Sequence, residues 1–140
     1  MVRFSNLELI KLLEGNGRAS YSDLARKLGV SDTAVKKRMR SLENSGLIRG
    51  YMVDADPRKL GFAIHALTGV DTEPQEYLRV IRELKDWPEN RRIYSSSGDH
   101  MIMCDGWFVN NKEIDDYIQR IEATDGVTKV CPAIILERIK

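Results

Sequence analysis

The sequence predicts an α+β protein whose all-helical N-terminal third is followed by a part that mixes helices and strands. Two observations predict this division. Apolar residues recur at helical spacing up to about residue 46, and the pattern then alternates between strand and helix periods. The charge changes too, because residues 1–50 carry 10 Lys and Arg against 5 Asp and Glu, whereas residues 51–140 carry 12 against 16. The N-terminal part therefore suits a polyanionic partner, which the net charge of +1 conceals.

The composition argues against several classes of protein. A chain of 140 residues with 42% hydrophobic and 31% charged residues fits one large or two small domains. No apolar run is long enough to span a bilayer and no signal-peptide pattern precedes residue 20, so a cytoplasmic location is expected. Cys104 and Cys131 are expected to be reduced and buried, since neither they nor His65 and His100 show metal-ligand spacing. No metal and no cofactor are therefore expected.

Three short helices are predicted in the N-terminal part. Ser5 and Glu8 form a capping-box pattern at the start of the first helix, which Gly15-Asn16-Gly17 ends. The second helix is predicted over about 22–28, and the third starts at Ser31 and runs to about residue 44. A tight glycine-containing turn separates the second helix from the third. This layout is typical of a helix-turn-helix.

The third helix has two chemically different faces. Val35, Met39 and Leu42 fall within one narrow sector and are predicted to face the core. The opposite sector is basic, and four of the five residues from Lys36 to Arg40 are Lys or Arg. On an arbitrary helix such a run would indicate only a solvated face. On the second helix of a helix-turn-helix, the helix that enters the major groove, it predicts contact with DNA.

The chemistry of the side chains divides the predicted DNA contacts. The Ser31 hydroxyl is expected to cap the third helix, whose N-terminus is a natural phosphate site. Thr33, Lys36 and Lys37 are placed to reach base edges or nearby phosphates, and Arg40 is placed for a phosphate. The complete set of predicted DNA-binding residues is Ser31, Thr33, Lys36, Lys37, Arg38 and Arg40, with Arg26 and Arg49 on the flanks.

A change of period after residue 46 predicts a wing and then a boundary. Residues 47–53 have the pattern of a strand, which would be a wing or the start of a linker. Turn-forming residues follow at 54–57. The predicted organisation is a winged helix-turn-helix domain over residues 1–50, a strand and hinge linker over 51–61, and a second domain over 62–140.

The second domain shows the order β-α-β-β-α-β, which is that of a ferredoxin-like fold. Both helices would cover one face of its sheet. The opposite face is predicted to be bare and apolar, which argues for a partner subunit. Pro132 is compatible only with an edge strand or a bulge. The predicted strands are Phe62–Asp71, Arg91–Ser96, Met101–Phe108 and Val127–Ile139, and the predicted helices run from Pro74 to Trp87 and from Asn111 to Gly126.

Three segments resemble a known family. They are the run from Tyr21 through Ser31 and Val35 to Ile48, the hinge with Tyr51, Asp56-Pro57 and Leu60-Gly61, and Tyr94 with Ser97-Gly98-Asp99 and the terminal Gly126-Val127. A helix-turn-helix pattern alone is only moderately specific. With the hinge and the glycine turn at these distances, the chain resembles the Lrp/AsnC (feast/famine) transcription regulators over essentially its whole length.

The resemblance implies an effector domain that dimerises through its sheets, often with dimers stacked into octamers. It also implies that small molecules, commonly amino acids, bind between dimers near the turn after the second strand. A glycine turn exposes backbone N–H groups that can hold a carboxylate, and Asp99 could hold an ammonium group. A plain hairpin turn is the open alternative. The predicted effector residues are Tyr94, Ser97, Gly98, Asp99 and His100.

The turn departs from the family pattern at one position. The family usually carries a second acid in the pattern G-D-x-D, whereas Gly98-Asp99 is followed here by His100-Met101. The loss of that carboxylate removes one candidate partner for an amino group. The departure therefore leaves three alternatives open: an amino acid, a different ligand, or no ligand.

Two other functions fit the same architecture. Sirohaem decarboxylases resemble this family, and His100, Tyr94, Arg91 and Arg92 would then bind propionates or handle protons. The basic third helix argues against an enzyme, and the sequence shows no acid/base pair or nucleophilic constellation. The second alternative is an architectural DNA-binding protein without an effector. The expected function is a sequence-specific, DNA-binding transcription regulator that acts as a homo-oligomer and is not an enzyme.

Overall fold

The computed structural model describes residues 3–140. They fold into two compact units, of which one ends at Asp54 and the other spans Ala55–Lys140. The division falls inside the predicted linker over 51–61. The domain bounds proposed from the sequence otherwise stay a prediction.

The first unit contains three helices, each of which starts at a serine cap. They are α1 (Asn6–Gly15), α2 (Tyr21–Leu28) and α3 (Asp32–Asn44). The capping box of Ser5 and Glu8 is confirmed, because each side chain accepts the other residue's backbone N–H. Helix α2 starts slightly earlier than predicted, since Ser20 supplies its cap. The helix-turn-helix layout is confirmed.

One apolar core holds the three helices together. Leu9 of α1 and Leu24 of α2 are buried against Val35, Met39 and Leu42, which confirms the predicted core face of α3. Gly29 ends α2 in the left-handed region at φ 67°, which only glycine adopts without strain, and so permits the tight turn into α3.

The strand predicted over residues 47–53 is wrong. The backbone N–H of Ile48 donates to the carbonyl of Leu42, so the start of this segment closes the end of α3. Tyr51, Met52 and Val53 are exposed and belong to no strand. A strand needs a neighbouring strand for its backbone groups, and residues 3–54 contain none.

The second unit has the predicted order β-α-β-β-α-β, and its four strands form one antiparallel sheet in the order β2-β3-β1-β4. Two short 3₁₀ turns, Arg58–Leu60 and Pro74–Glu76, precede β1 and the first helix of the unit. The elements are β1 (Ile64–Thr72), α4 (Tyr77–Lys85), β2 (Asn90–Ser95), β3 (Ile102–Phe108), α5 (Asn111–Glu122) and β4 (Val127–Ile134).

Strand β4 is shorter than predicted. It ends at Ile134 instead of Ile139, because Ile134 pairs with Ala66 close to the start of β1 and little of the partner strand remains beyond that point. Pro132 lies within β4, which is an edge strand of the sheet. The restriction that proline lacks a backbone donor is thus respected, as predicted.

Both helices pack on one face of the sheet. Alternate residues of β1 and β3, such as Val70 and Ile102, are fully buried there against Leu84 of α4 and Ile121 of α5. Cys104 lies in this core as a free thiol, and burial raises its pKa to about 11. Cys131 is free and partly buried.

The opposite face of the sheet is more polar than predicted. Leu67, Met103 and Trp107 alternate with residues that form ion pairs. His65 Nε2 lies 2.7 Å from Asp105 Oδ1. The face expected to be apolar is therefore mixed, because apolar periodicity does not reveal polar groups that pair across strands.

Core packing of α4 makes a direct prediction about stability. Leu84→Ala should lower the free energy of unfolding by about 2–5 kcal/mol, because Leu84 is fully buried and its truncation leaves a cavity. Leu78→Ala on the same helix is the matched control, since Leu78 is 63% exposed and should change stability by no more than about 0.5 kcal/mol. Chemical denaturation measures both values. Equal losses in the two variants would contradict the assigned core.

Candidate nucleic-acid interface and effector turn

The exposed face of α3 is basic and open. Thr33, Lys36, Lys37 and Arg40 are all exposed, on the side opposite the buried stripe of this helix. Within residues 3–140, none of the three cations is paired with a carboxylate. The Ser31 hydroxyl accepts the backbone N–H of Ala34 at 3.2 Å and so caps the helix as predicted. We call the exposed residues Ser31, Thr33, Lys36, Lys37 and Arg40 the basic face of α3.

Arg38 is engaged within the fold. Its Nη1 donates to the Phe4 carbonyl at 3.2 Å and to Asn6 Oδ1 at 2.8 Å. Its guanidinium also lies 4.6 Å from the centroid of the Phe4 ring. These contacts tie α3 to the start of α1. Contact of Arg38 with DNA stays an untested prediction. In the structure this side chain instead binds Phe4 and Asn6.

The flanking arginines differ in their surroundings. Arg26 Nη2 lies 2.7 Å from Asp23 Oδ1, yet 75% of its side chain is exposed, so solvent screens the pair and the guanidinium stays accessible. Arg49 is exposed just after α3. Both side chains can approach a phosphate backbone without disturbing the core.

A hydrogen bond that the sequence did not reveal joins the two helices of the motif. Ser22 Oγ donates to Asp32 Oδ2 at 2.5 Å and so links the first turn of α2 to the first turn of α3. The two residues are ten positions apart across the turn, and no local pattern connects them. The bond helps to fix the start of α3, where the predicted phosphate site lies.

The turn between β2 and β3 places three of the predicted effector residues at one tip. Ser97, Gly98 and Asp99 are all exposed there. The turn is closed by the Ser96 N–H, which donates to the Met101 carbonyl at 2.9 Å. Gly98 donates its own N–H to Ser96 Oγ at 3.2 Å. The amides of Ser97 and Asp99 are therefore better candidates for a ligand carboxylate than that of Gly98.

The other two predicted effector residues lie apart from the tip. Tyr94 belongs to β2 and pairs with Met103 of β3. His100 turns back to the sheet, where its Nδ1 lies 2.9 Å from Asp71 Oδ2. Asp71, which the sequence analysis missed, also accepts the Met101 N–H at 3.0 Å through Oδ1.

The environment of Asp71 favours its charged form. Burial by itself would raise the pKa of this carboxyl group. The hydrogen bonds from His100 and from the Met101 amide act in the opposite direction, together with the charges of His100 and Lys129. The pKa of Asp71 is lowered overall.

The residues that an enzyme would need are not brought together. Arg91 and Arg92 line a groove of about 370 Å³ beside α4, and neither His100 nor Tyr94 lines it. The Arg91 guanidinium is stacked 3.6 Å from the centroid of the Trp107 ring. Among residues 3–140, no group of three His, Cys, Asp or Glu side chains is arranged to hold a metal ion.

Two models of known families match the chain, one within each of its two units. Residues 5–49 match the model of a winged helix-turn-helix DNA-binding domain. Residues 65–140, more than half of the chain, match the model of the Lrp/AsnC ligand binding domain. The chain belongs to the Lrp/AsnC family. The resemblance found in the sequence and the ferredoxin-like fold with its N-terminal helix-turn-helix are thereby confirmed.

Curated relatives of this Lrp/AsnC protein are transcription regulators. The regulator LrpA of Pyrococcus horikoshii is 44% identical over 133 residues, which are 94% of each chain. LrpA1 of Halobacterium salinarum is 35% identical over 133 residues, again 94% of each chain. The protein is accordingly a DNA-binding transcription regulator and not an enzyme, which makes the sirohaem-decarboxylase alternative wrong.

Solved structures agree over nearly the whole length. LrpA of Mycobacterium tuberculosis, described as a leucine response regulatory protein, is 26% identical with a TM-score of 0.80, covering 98% of this chain and 95% of that one. A Neisseria meningitidis regulator in complex with L-Met has a TM-score of 0.87, covering 99% and 93%. At 17% identity, that likeness concerns the fold alone.

No helix among residues 3–140 is long and apolar enough to cross a membrane.

Acid should loosen the turn. The folded-state pKa of Asp71 is lowered, so the stabilisation from its carboxylate is fully present above the unfolded pKa of about 3.9 and is lost as the pH falls through the folded value. We expect the protection of the Met101 amide against hydrogen exchange to fall in that range, before the unit unfolds. The Ile135 amide, which donates to the His65 carbonyl, is the control. Parallel loss at both amides would argue against a local effect.

Proposed function

We propose that this Lrp/AsnC regulator reads duplex DNA through the basic face of α3, acts as a homodimer, and responds to a small molecule at the turn 97–99. One observation carries the DNA-binding surface. Lys36, Lys37 and Arg40, which pair with no carboxylate among residues 3–140, are exposed on the side of α3 that lies opposite its buried stripe. Cations placed in this way release counterions from DNA when they meet phosphates.

The residues of the basic face have different tasks in this proposal. The capped N-terminus of α3 at Ser31 presents backbone N–H groups and the positive end of the helix dipole to a phosphate. Thr33, Lys36 and Lys37, in the first two turns, approach base edges or nearby phosphates. Arg40 lies a turn further along and contacts phosphate, as do Arg26 and Arg49 on the flanks. Arg38 is left out because it holds Phe4 and Asn6.

The sheet face opposite α4 and α5 is the proposed dimer surface. It combines the apolar side chains of Leu67, Met103 and Trp107 with polar groups that are already paired, so its burial leaves few unsatisfied charges. A symmetric dimer carries two copies of α3, which read half-sites about one helical turn of DNA apart or a multiple of it. Stacking of such dimers into octamers is the larger assembly we propose.

An amino acid is the effector chemistry that the turn favours. Ser97 and Asp99 are exposed residues, whose backbone N–H groups suit a carboxylate, and the carboxylate of Asp99 suits an ammonium group. The Neisseria meningitidis neighbour is a complex with L-Met, which makes that amino acid the first to test. The ligand would change assembly, and through it the placement of the DNA-binding units.

Removing charge from the basic face should weaken DNA binding and its dependence on salt. Lys36→Ala and Lys37→Ala should each lower the magnitude of the slope of log K against log salt by about two for the bound dimer, because one phosphate contact is lost in each of its two subunits. Fluorescence anisotropy with a selected duplex at several salt concentrations measures both effects. Lys11→Ala removes an exposed lysine from α1 and should leave both unchanged. If the two α3 variants bind like the parent, the basic face is not the DNA surface.

The effector turn is tested by thermal stability. If an amino acid binds at the turn, L-Met or another member of a panel of L-amino acids should raise the melting temperature of the parent protein. Asp99→Asn should reduce that shift, since it removes the negative charge that is proposed to pair with the ligand's ammonium group. Asp115→Asn on α5 is the matched control, because that carboxylate is exposed and remote from the turn in sequence. Failure of the whole panel would favour the architectural protein without an effector.

A further inference from the structure

The effector turn is held by a carboxylate that lies outside it. Asp71 belongs to β1, and both of its oxygens reach the end of the turn. Oδ1 accepts the backbone N–H of Met101 at 3.0 Å, and Oδ2 lies 2.9 Å from Nδ1 of His100. A carboxylate can only accept, so Nδ1 of His100 donates to it. One side chain thus fixes two successive residues of the turn.

A glycine on β1 makes room for this arrangement. A Cβ atom added to Gly69 would lie 2.2 Å from Cδ2 and 2.3 Å from Cγ of His100, far inside van der Waals contact. The backbone of Gly69 is not in the left-handed region, so no turn geometry demands glycine there. The imidazole of His100 therefore accounts for the absence of a side chain at position 69.

Met101 faces the other side of the sheet. Its side chain packs against the core cluster formed with α4 and α5. On that side Tyr77 of α4 also forms a hydrogen bond with the Ser95 hydroxyl at the end of β2. The turn is thus braced both by Asp71 and by contacts with the core cluster under α4 and α5.

We propose that Asp71 is the positioning residue of the effector turn. Its task is to hold residues 96–101 in the conformation that presents the Ser97 and Asp99 amides. Asp71 acts through His100 and the Met101 amide and does not itself contact the effector. The inference rests on the effector site of the proposed function. Its structural half is measurable without any ligand.

A strand supplies a firmer anchor than the turn itself. Asp71 lies near the end of β1 and pairs with Lys129 of β4, while the preceding residue, Val70, pairs with Ile102 of β3. The basic groups around its carboxylate are His100 from the turn and Lys129 from β4. They favour the ionised carboxylate, which makes stronger hydrogen bonds than a neutral acceptor.

The test uses the full chain and three variants at neutral pH. Asp71→Ala removes both contacts, Gly69→Ala displaces His100 while leaving the carboxylate, and Asp71→Asn keeps an oxygen acceptor for the Met101 amide. We expect Asp71→Ala to speed hydrogen exchange of the Met101 amide about tenfold or more, the size expected when a hydrogen bond to a charged group is lost. Asp71→Asn should restore part of the protection.

The tautomer of the His100 imidazole is a second readout. A general loss of structure would not change it in the same way. In the neutral ring the proton should reside on Nδ1, because that nitrogen donates to Asp71. Nitrogen chemical shifts should report this tautomer in the parent protein. The proton should move toward Nε2 in Asp71→Ala and in Gly69→Ala. The outcome is read for each variant separately, so failure of one variant to fold leaves the others decisive.

The effector half is tested with the same panel of L-amino acids. Asp71→Ala should reduce the ligand-induced rise in melting temperature, whereas Asp99→Asn should reduce it without changing the Met101 exchange or the His100 tautomer. Unchanged exchange and tautomer in Asp71→Ala would overturn the proposal, as would a full ligand response in a variant whose turn is loosened. If no amino acid acts on the parent protein, the effector site itself is wrong, and the exchange data still decide whether Asp71 holds the turn.

Discussion

The burial of one stripe of α3 is the constraint on which the DNA-binding unit depends. Val35, Met39 and Leu42 are almost completely buried against α1 and α2. Because successive residues of a helix are rotated by a fixed angle, burying this stripe also decides which side chains face outward. The basic face of α3 therefore needs no contacts of its own to be displayed. The hydrophobic effect orients it, and the Ser31 cap and the bond between Ser22 and Asp32 set where it starts.

In the second unit, the side chains of each strand alternate between the two faces of the sheet. Alternate residues of β1 and β3 enter the core under α4 and α5, and the residues between them form the opposite face. That face carries polar contacts such as that of His65 Nε2 with Asp105 Oδ1, whose side chains are 31% and 18% exposed. When such a contact is buried in an interface, an arrangement that separates its partners is costly, because each is left unsatisfied. Such a face suits an interface in which register has to be defined.

Local patterns predicted most of the elements, and contacts between distant residues explain what they missed. Ser5 and Glu8 lie within one helical turn, so their capping box is visible in the sequence, and the buried stripe of α3 follows from spacing alone. The apolar run over 47–53 has the same local signal as a strand, but a strand also requires a partner, which spacing does not report. Spacing also could not show that Arg38, a predicted DNA contact, binds the carbonyl of Phe4, 34 positions away. Its contact with DNA stays a prediction.

The same limit applies to the candidate effector site. The residues at the tip of the turn were predicted from local sequence, whereas the residue that holds the turn is visible only in the structure. Asp71 and His100 are 29 positions apart and meet only because β1 and β3 are neighbours in the sheet. Asp71 and the imidazole over Gly69 lie on the face proposed for dimerisation, while the turn that they hold carries the proposed effector site. In the proposed function, a ligand that alters the turn would therefore act on a carboxylate that also lies on the proposed dimer surface. Coupling between the two would then need no chain of intermediate residues, because Asp71 contacts the turn directly and lies on that surface.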